Sequence, residues 1–168
     1  MKYNRGNAIL LIPGSFNPLH RGHIEIAAIS NLITKLPPIF LVSAKNADKL
    51  SIDITEGIER CSDIFKNYYF AFLCFEPLFV DKIRKYSTPN KTLIFAIGYD
   101  TWERLWDEKY GVSNSDLTHL LRIHSVKFLV FPRNGKKIES DNEFVIRHEL
   151  VNDYYNDVSS TQLRNNLQ

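Results

Sequence analysis

Short runs that are apolar at nearly every position recur along this chain: AILLI (8 to 12), IFLVS (39 to 43), TLIFAI (92 to 97) and KFLVF (127 to 131). A strand with one face in water alternates apolar and polar residues. These do not, so each must be covered on both faces, as in a parallel sheet sandwiched between helices. The intervening segments read as those helices. Ile24, Ala27, Ala28 and Leu32 recur at helical spacing between about Arg21 and Ile33, and Ile58, Cys61, Ile64 and Phe65 mark one face of EGIERCSDIFKN (56 to 67). YYFAFLCF (68 to 75) is aromatic-rich and strand-like, Pro77 opens a helix through LFVDKIRKY, and DLTHLLRI (116 to 123) supplies another. The pattern predicts an α/β fold built on a doubly wound, mostly parallel sheet. RNGKKIESDNEF (133 to 144) reads as a long exposed loop and FVIR (144 to 147) as a short late strand. No repeat, linker or low-complexity segment divides the chain, and 168 residues suffice for one core, so a single domain over 1–168 is expected.

Charge narrows the partners. Lys and Arg number 21 against 19 Asp and Glu, which gives no basic field for nucleic acid and leaves room only for a local anion pocket. Cys61 and Cys74 lack metal-site spacing and read as buried, reduced thiols. The first apolar run ends after five residues, too short for a signal peptide or a membrane span. A cytoplasmic protein is expected, with the nucleus and a homo-oligomer both left open.

Ligands of such sheets bind outside the carboxyl ends of the strands. IPGSFNPLHRGH (12 to 23) lies there, its strand expected to end at Ile12. His20 and His23, three apart at a helix start, share a face beside unsatisfied backbone N–H groups, and Gly22 removes a side chain from their approach. That is an anion site, and polyphosphate is its natural guest. The plainer reading, two helix-start histidines without a chemical role, is outweighed because composition alone makes a His-x-Gly-His rare in a chain of this length.

GSFNPLHRGH resembles the phosphate-binding signature of the HxGH nucleotidylyltransferase superfamily, which includes nicotinamide or nicotinate mononucleotide adenylyltransferases, phosphopantetheine adenylyltransferase and cytidylyltransferases. The resemblance implies a Rossmann-like fold in which Gly14, Ser15 and Phe16 give backbone contacts to nucleotide while His20 and His23 face its triphosphate. Position 17 is Asn, which suits the mononucleotide adenylyltransferase branch; cytidylyltransferases usually carry Asp.

Other segments bear on the same site. VSSTQLRNNL (158 to 167) begins with a capping box, Ser159 to Gln162, and Arg164 follows one turn beyond Ser160 and Thr161. Most such boxes only cap a helix, but here hydroxyls, free N–H groups and a cation can converge on one anion. The segment resembles the superfamily's Ser-Ser-Thr-x-x-Arg signature, which grips pyrophosphate. After the 92 to 97 strand, Gly98 admits close backbone approach, and Asp100 is equally suited to a ribose hydroxyl or to capping the next helix. Resemblance to a Gly-x-Asp-Thr segment of pyridine-nucleotide adenylyltransferases favours adenosine binding there. Lys49 in SAKNADKLS (43 to 51) is placed to pair with a substrate phosphate, or else belongs to a solvated turn; Asn-Ala-Asp-Lys resembles one branch of the same adenylyltransferases. Arg133 either reaches the nucleotide or stays at the surface. Trp102 and Trp106 are candidates to stack on an aromatic substrate, with the core as the alternative for at least one. His119, His124 and His148 have no metal-like grouping.

The implied reaction is AMP transfer from ATP, with its magnesium ion, to a small phosphorylated acceptor of the pyridine mononucleotide kind, releasing pyrophosphate. The catalytic set is His20, His23, Lys49 and Arg164. Adenylyl or cytidylyl transfer to another phosphorylated small molecule, and an inactive nucleotide-binding regulatory module, stand as alternatives. A dinucleotide-binding Gly-x-Gly-x-x-Gly is not supplied by PGSFNP.

Overall fold

The computed structural model describes residues 3–44, 53–110 and 112–154. In chain order its elements are β1 (Ala8–Gly14), α1 (Arg21–Thr34), β2 (Pro38–Ser43), α2 (Ile54–Phe65), β3 (Phe70–Cys74), α3 (Phe79–Tyr86), β4 (Thr92–Gly98), α4 (Tyr99–Leu105), a 3-10 turn (Glu108–Tyr110), α5 (Asn114–Ile123), β5 (Val126–Phe131) and α6 (Glu149–Asn152). The five strands form one all-parallel sheet in the order β3-β2-β1-β4-β5.

The unbroken apolar runs follow from two-sided burial. On one face Leu10, Phe40 and Ala96 meet Ala27 of α1 and Cys61 and Ile64 of α2. On the other, Leu11, Phe95 and Phe128 meet Ile83 of α3, Trp102 of α4 and Leu121 of α5. Both cysteines are buried free thiols. Burial holds each of them up from its ordinary pKa.

The helices turn different faces to the sheet from those their largest apolar residues suggest. α1 buries Gly22, Ala27, Ser30 and Thr34, while Ala28 is exposed and Leu32 is 54% exposed. Small side chains at the contact let the helix lie close to the strands. The Thr34 hydroxyl is satisfied internally, donating to the Ser30 carbonyl at 2.7 Å. α2 buries Gly57, Arg60, Cys61 and Ile64, leaving Ile58 and Phe65 in solvent. The third strand is shorter than its aromatic run: Tyr68 has φ +64° and is exposed in a turn. β3 lies at the sheet edge, which leaves Phe70 and Phe72 exposed. FVIR forms no strand. Phe144 to Ile146 lie beside Phe128, which donates to the Phe144 carbonyl at 2.7 Å and accepts from Ile146 at 2.8 Å.

β1 runs through Pro13 to Gly14, two residues past its expected end. It pairs with β2 as far as Gly14↔Val42. Its pairing with β4 stops at Leu11↔Phe95, although β4 stays paired with β5 as far as Gly98↔Phe131. The two central strands therefore part over their last three residues, and Pro13, which has no N–H to donate, sits in that parted stretch. This is also where strand order reverses direction, the switch point at which open α/β sheets bind ligands.

Phe40 is fully buried, with ring centroids 5.1 Å from Phe16 and 5.4 Å from Tyr69. Phe40→Ala should cost about 3–5 kcal/mol through lost burial and a residual cavity. Equilibrium urea unfolding measures it; a loss under about 1 kcal/mol would mean the site collapses around the smaller side chain.

Candidate active site

The parting of β1 and β4 opens a cavity of about 450 Å³ lined by residues 12–14 and 96–98, by the start of α1 and by the stretch after β5. Of the described residues that the sequence singled out, Gly14, Ser15, Phe16, His20, His23, Gly98, Asp100 and Arg133 line it. Lys49, Ser159, Ser160, Thr161 and Arg164 lie outside the described residues.

The turn between β1 and α1 is held from beneath. Phe16 takes φ +46° and folds its ring into the core, edge-on to His23 at 4.9 Å and to Phe40 at 5.1 Å. Gly14 makes room for that ring, since a Cβ on it would stand 2.7 Å from the Phe16 ring. Arg60, buried on α2, donates from Nη1 to the Ser15 carbonyl at 3.0 Å and pairs with Glu56. Neither the brace nor its purpose is visible in the sequence, where the i,i+4 spacing of Glu56 and Arg60 is that of any helical ion pair.

His20 caps α1 and His23 is its third residue. Their rings stack at 3.6 Å and 27°. The His20 backbone N–H donates to His23 Nδ1 at 3.3 Å, so the neutral ring carries its proton on Nε2, as a donor. His20 Nδ1 is buried without a protein partner among the described residues. Burial, then the Arg133 charge, lowers the His20 pKa. Burial first, then His20 and Arg133, holds His23 down to about 3. Two stacked rings beside a guanidinium stay neutral because neither can charge cheaply.

Across the cavity Gly98 caps α4, and nothing stands within 4 Å of where a Cβ would be. Its backbone, φ −77° and ψ 159°, does not demand glycine, so what the missing side chain leaves is open space in the cavity. Asp100 is not the helix cap. It lies in the first turn and forms an ion pair with Arg133, Oδ2 to Nε at 3.3 Å. Arg133 opens a tight turn closed by mutual backbone bonds with Lys136, at 3.0 and 2.9 Å. Its central residues, Asn134 at φ +51° and Gly135 at φ +74°, have the positive φ of a type I′ turn. Lys136 ties that turn to Glu103 of α4 at 3.1 Å. Asn-Gly was the signal for this turn inside what read as a plain loop.

A second cavity, about 200 Å³, adjoins the first and shares Pro13, Gly14, Ser15, Thr101 and Arg104 with it. Arg104 went unremarked in the sequence, although it sits one helical turn after Asp100 on the same face. Trp102 and Trp106 pack against each other and against Phe128 and Phe144, and neither lines a cavity. His124 bonds Ser87 at 2.9 Å, His148 caps α6 and His119 is exposed. Among the described residues no three His, Cys, Asp or Glu side chains gather to hold a metal, and no helix is long and apolar enough to cross a membrane.

The model of the family described as Cytidylyltransferase-like matches residues 11–166. The chain belongs to that family. It is a nucleotidyltransferase enzyme. Over 169 residues it is 28% identical to a probable nicotinate-nucleotide adenylyltransferase of Fusobacterium nucleatum subsp. nucleatum, across 95% of this chain and 87% of that protein. A 61-residue stretch is 33% identical to phosphopantetheine adenylyltransferase of Mycoplasma capricolum subsp. capricolum, covering 36% of this chain and 42% of the relative. The nicotinic acid mononucleotide adenylyltransferase of Plasmodium falciparum, solved with NaAD, shares the fold with a TM-score of 0.60 at 19% identity, over 95% of this chain and 83% of its own.

The histidine environment makes a pH prediction. The unfolded chain binds a proton at His23 near the ordinary 6.5, whereas the fold binds it only near 3. Between those values the unfolded state holds more protons, so this group's contribution to stability falls as pH is lowered from 6.5 toward 3. In the ligand-free protein the His23 ring should show no NMR titration between about pH 5 and 8. A midpoint near 6.5 would contradict the buried, stacked arrangement.

Proposed function

We propose that this enzyme transfers AMP from ATP to nicotinate mononucleotide, with the triphosphate in the larger cavity and the acceptor in the smaller one. The observation that carries the reading is the junction of the two cavities at Pro13 to Ser15, Thr101 and Arg104. Two substrates seated on either side would meet there. The relatives named above support the choice of base and acceptor.

A phosphate monoester's second pKa is about 6, so the acceptor phosphate is already largely ionised at neutral pH and needs no general base. Its oxygen forms a bond to the α-phosphorus, the bond from that phosphorus to the bridging oxygen breaks, and pyrophosphate leaves with the electron pair. Positioning and charge stabilisation are the protein's share. His23 offers Nε2–H and His20 its ring to the triphosphate. Gly14, Ser15 and Phe16 supply backbone, Gly98 leaves room, and Asp100 and Arg133 hold the nucleoside end. By resemblance, Lys49 holds the acceptor phosphate, while Ser159, Ser160, Thr161 and Arg164 grip the departing pyrophosphate. Magnesium carried by ATP would supply charge neutralisation at the triphosphate, held mainly by phosphate and water oxygens.

Incubation with ATP, magnesium and nicotinate mononucleotide, nicotinamide mononucleotide or phosphopantetheine in turn, with pyrophosphate release and product mass as readouts, tests the assignment. Release with a pyridine mononucleotide and none with phosphopantetheine is expected; the reverse pattern refutes it. His23→Ala should lower turnover roughly 100-fold or more, the scale of one lost transition-state donor. Near-normal turnover would take His23 off the catalytic list. Gly98→Val should weaken ATP binding at least about tenfold by calorimetry while leaving stability within about 1 kcal/mol, because its side chain enters the open cavity. Unchanged ATP affinity would place the nucleotide elsewhere.

A further inference from the structure

The wall of the smaller cavity contains a buried cation that makes no ion pair with a carboxylate among the described residues. Lys82 lies on α3, is 3% exposed, and lines that cavity together with Leu78, Phe79 and Val80. Its ammonium bonds the main-chain carbonyls of Glu76 and Pro77, the latter at 3.3 Å, and lies 5.8 Å from the Phe79 ring centroid. The nearby Glu76 carboxylate is committed elsewhere: to Lys85 at 2.6 Å, to the Tyr86 hydroxyl at 3.4 Å and to the Cys74 thiol at 3.3 Å. Among the described residues, Lys82 makes no ion pair with a carboxylate.

Burying an ammonium against neutral carbonyls is costly, and the cost falls when an anion joins it. Burial is the largest influence on Lys82 and lowers its pKa, opposed by Cys74, Glu76 and Asp81. A residue kept only to tie the Glu76–Pro77 turn would not need a full charge at the wall of a substrate cavity. The rest of that wall is mixed: Leu105 and Val112 are apolar, whereas Ser43, Thr101, Arg104 and Tyr110 bring polar groups. An aromatic ring carrying one negative group matches a slot that joins apolar side chains to a buried ammonium; Arg104, on the stretch shared with the larger cavity, lies at the junction where phosphates would meet.

We propose that Lys82 is the specificity-determining residue for the acceptor, selecting a pyridine ring that bears a carboxylate over one that bears the neutral carboxamide. This rests on the adenylyl-transfer reading and on the acceptor's place in the smaller cavity. A carboxylate gains a charge-assisted partner on entry. A carboxamide of the same shape gains at most a neutral hydrogen bond and leaves the ammonium unneutralised.

The test is steady-state pyrophosphate release with nicotinate mononucleotide and with nicotinamide mononucleotide, for wild type, K82M and K82R. Wild type should favour the carboxylate by about tenfold or more in kcat/KM, the scale of one hydrogen bond to a charged group. K82M should lose at least about tenfold on the carboxylate substrate, mainly through KM, and stay within about threefold on the carboxamide; K82R should retain the preference. A merely structural role lowers both substrates by the same factor in K82M and overturns the proposal, because the ratio is independent of how much variant folds. If no K82M folds, the wild-type ratio decides, and absence of preference overturns the proposal. Wild type inert toward both mononucleotides would instead bring down the pyridine-acceptor reading, and this inference with it.

Discussion

The site depends on the hydrogen-bond ladder that is not made between β1 and β4. The two strands pair from Ala8↔Thr92 to Leu11↔Phe95 and then separate. Each stays fastened to its outer neighbour to the end, β1 to β2 and β4 to β5. The slot is therefore held open by four paired strands and does not rely on a flexible loop. A ligand entering it need not displace sheet structure, so little ordering cost falls on binding. Helix α1 begins on one bank and α4 on the other, which aims both first turns at the same space.

What surrounds the slot is fixed by contacts that run at right angles to it. The turn from Gly14 to Phe16 is braced from α2 by Arg60 and filled from below by the Phe16 ring, which also backs His23. The opposite bank is braced by the turn at Asn134 and Gly135, whose Lys136 holds Glu103 and whose Arg133 holds Asp100. Each bank thus has a buried or tied cation that fixes backbone, so the groups facing the cavity keep one geometry.

The sheet was legible in the sequence because two-sided burial leaves unbroken apolar runs, and the slot because His20, His23, Gly98 and Asp100 fall just after such runs. The helix faces were not. α1 and α2 contact the sheet partly through Ser30, Thr34, Gly57 and Arg60, and a search for large apolar residues passes over small or charged ones, including Thr34 and Arg60, whose polar atoms find partners inside. Arg60 and Lys82 share a reason for being missed. Their role comes from carbonyls of Ser15, Glu76 and Pro77, which every sequence contains and which only the fold brings within reach. The hairpin at Arg133 was legible in principle, since Asn-Gly carries its own turn geometry.

The site's electrostatics also bear on the proposed adenylyl transfer. Permanently cationic histidines would bind triphosphate and departing pyrophosphate tightly, which deepens the ground state and the product state along with the transition state. Neutral rings, held so by burial and by Arg133, are weaker partners for a triphosphate whose charge is already shared with its metal. As the bridging oxygen takes up negative charge, the same N–H donors interact more strongly, and a ring that was costly to protonate becomes less so. Under the proposed adenylyl transfer, the depressed pKa values would shift the site's stabilisation from the bound ground state toward the moment of bond cleavage, where it accelerates the reaction.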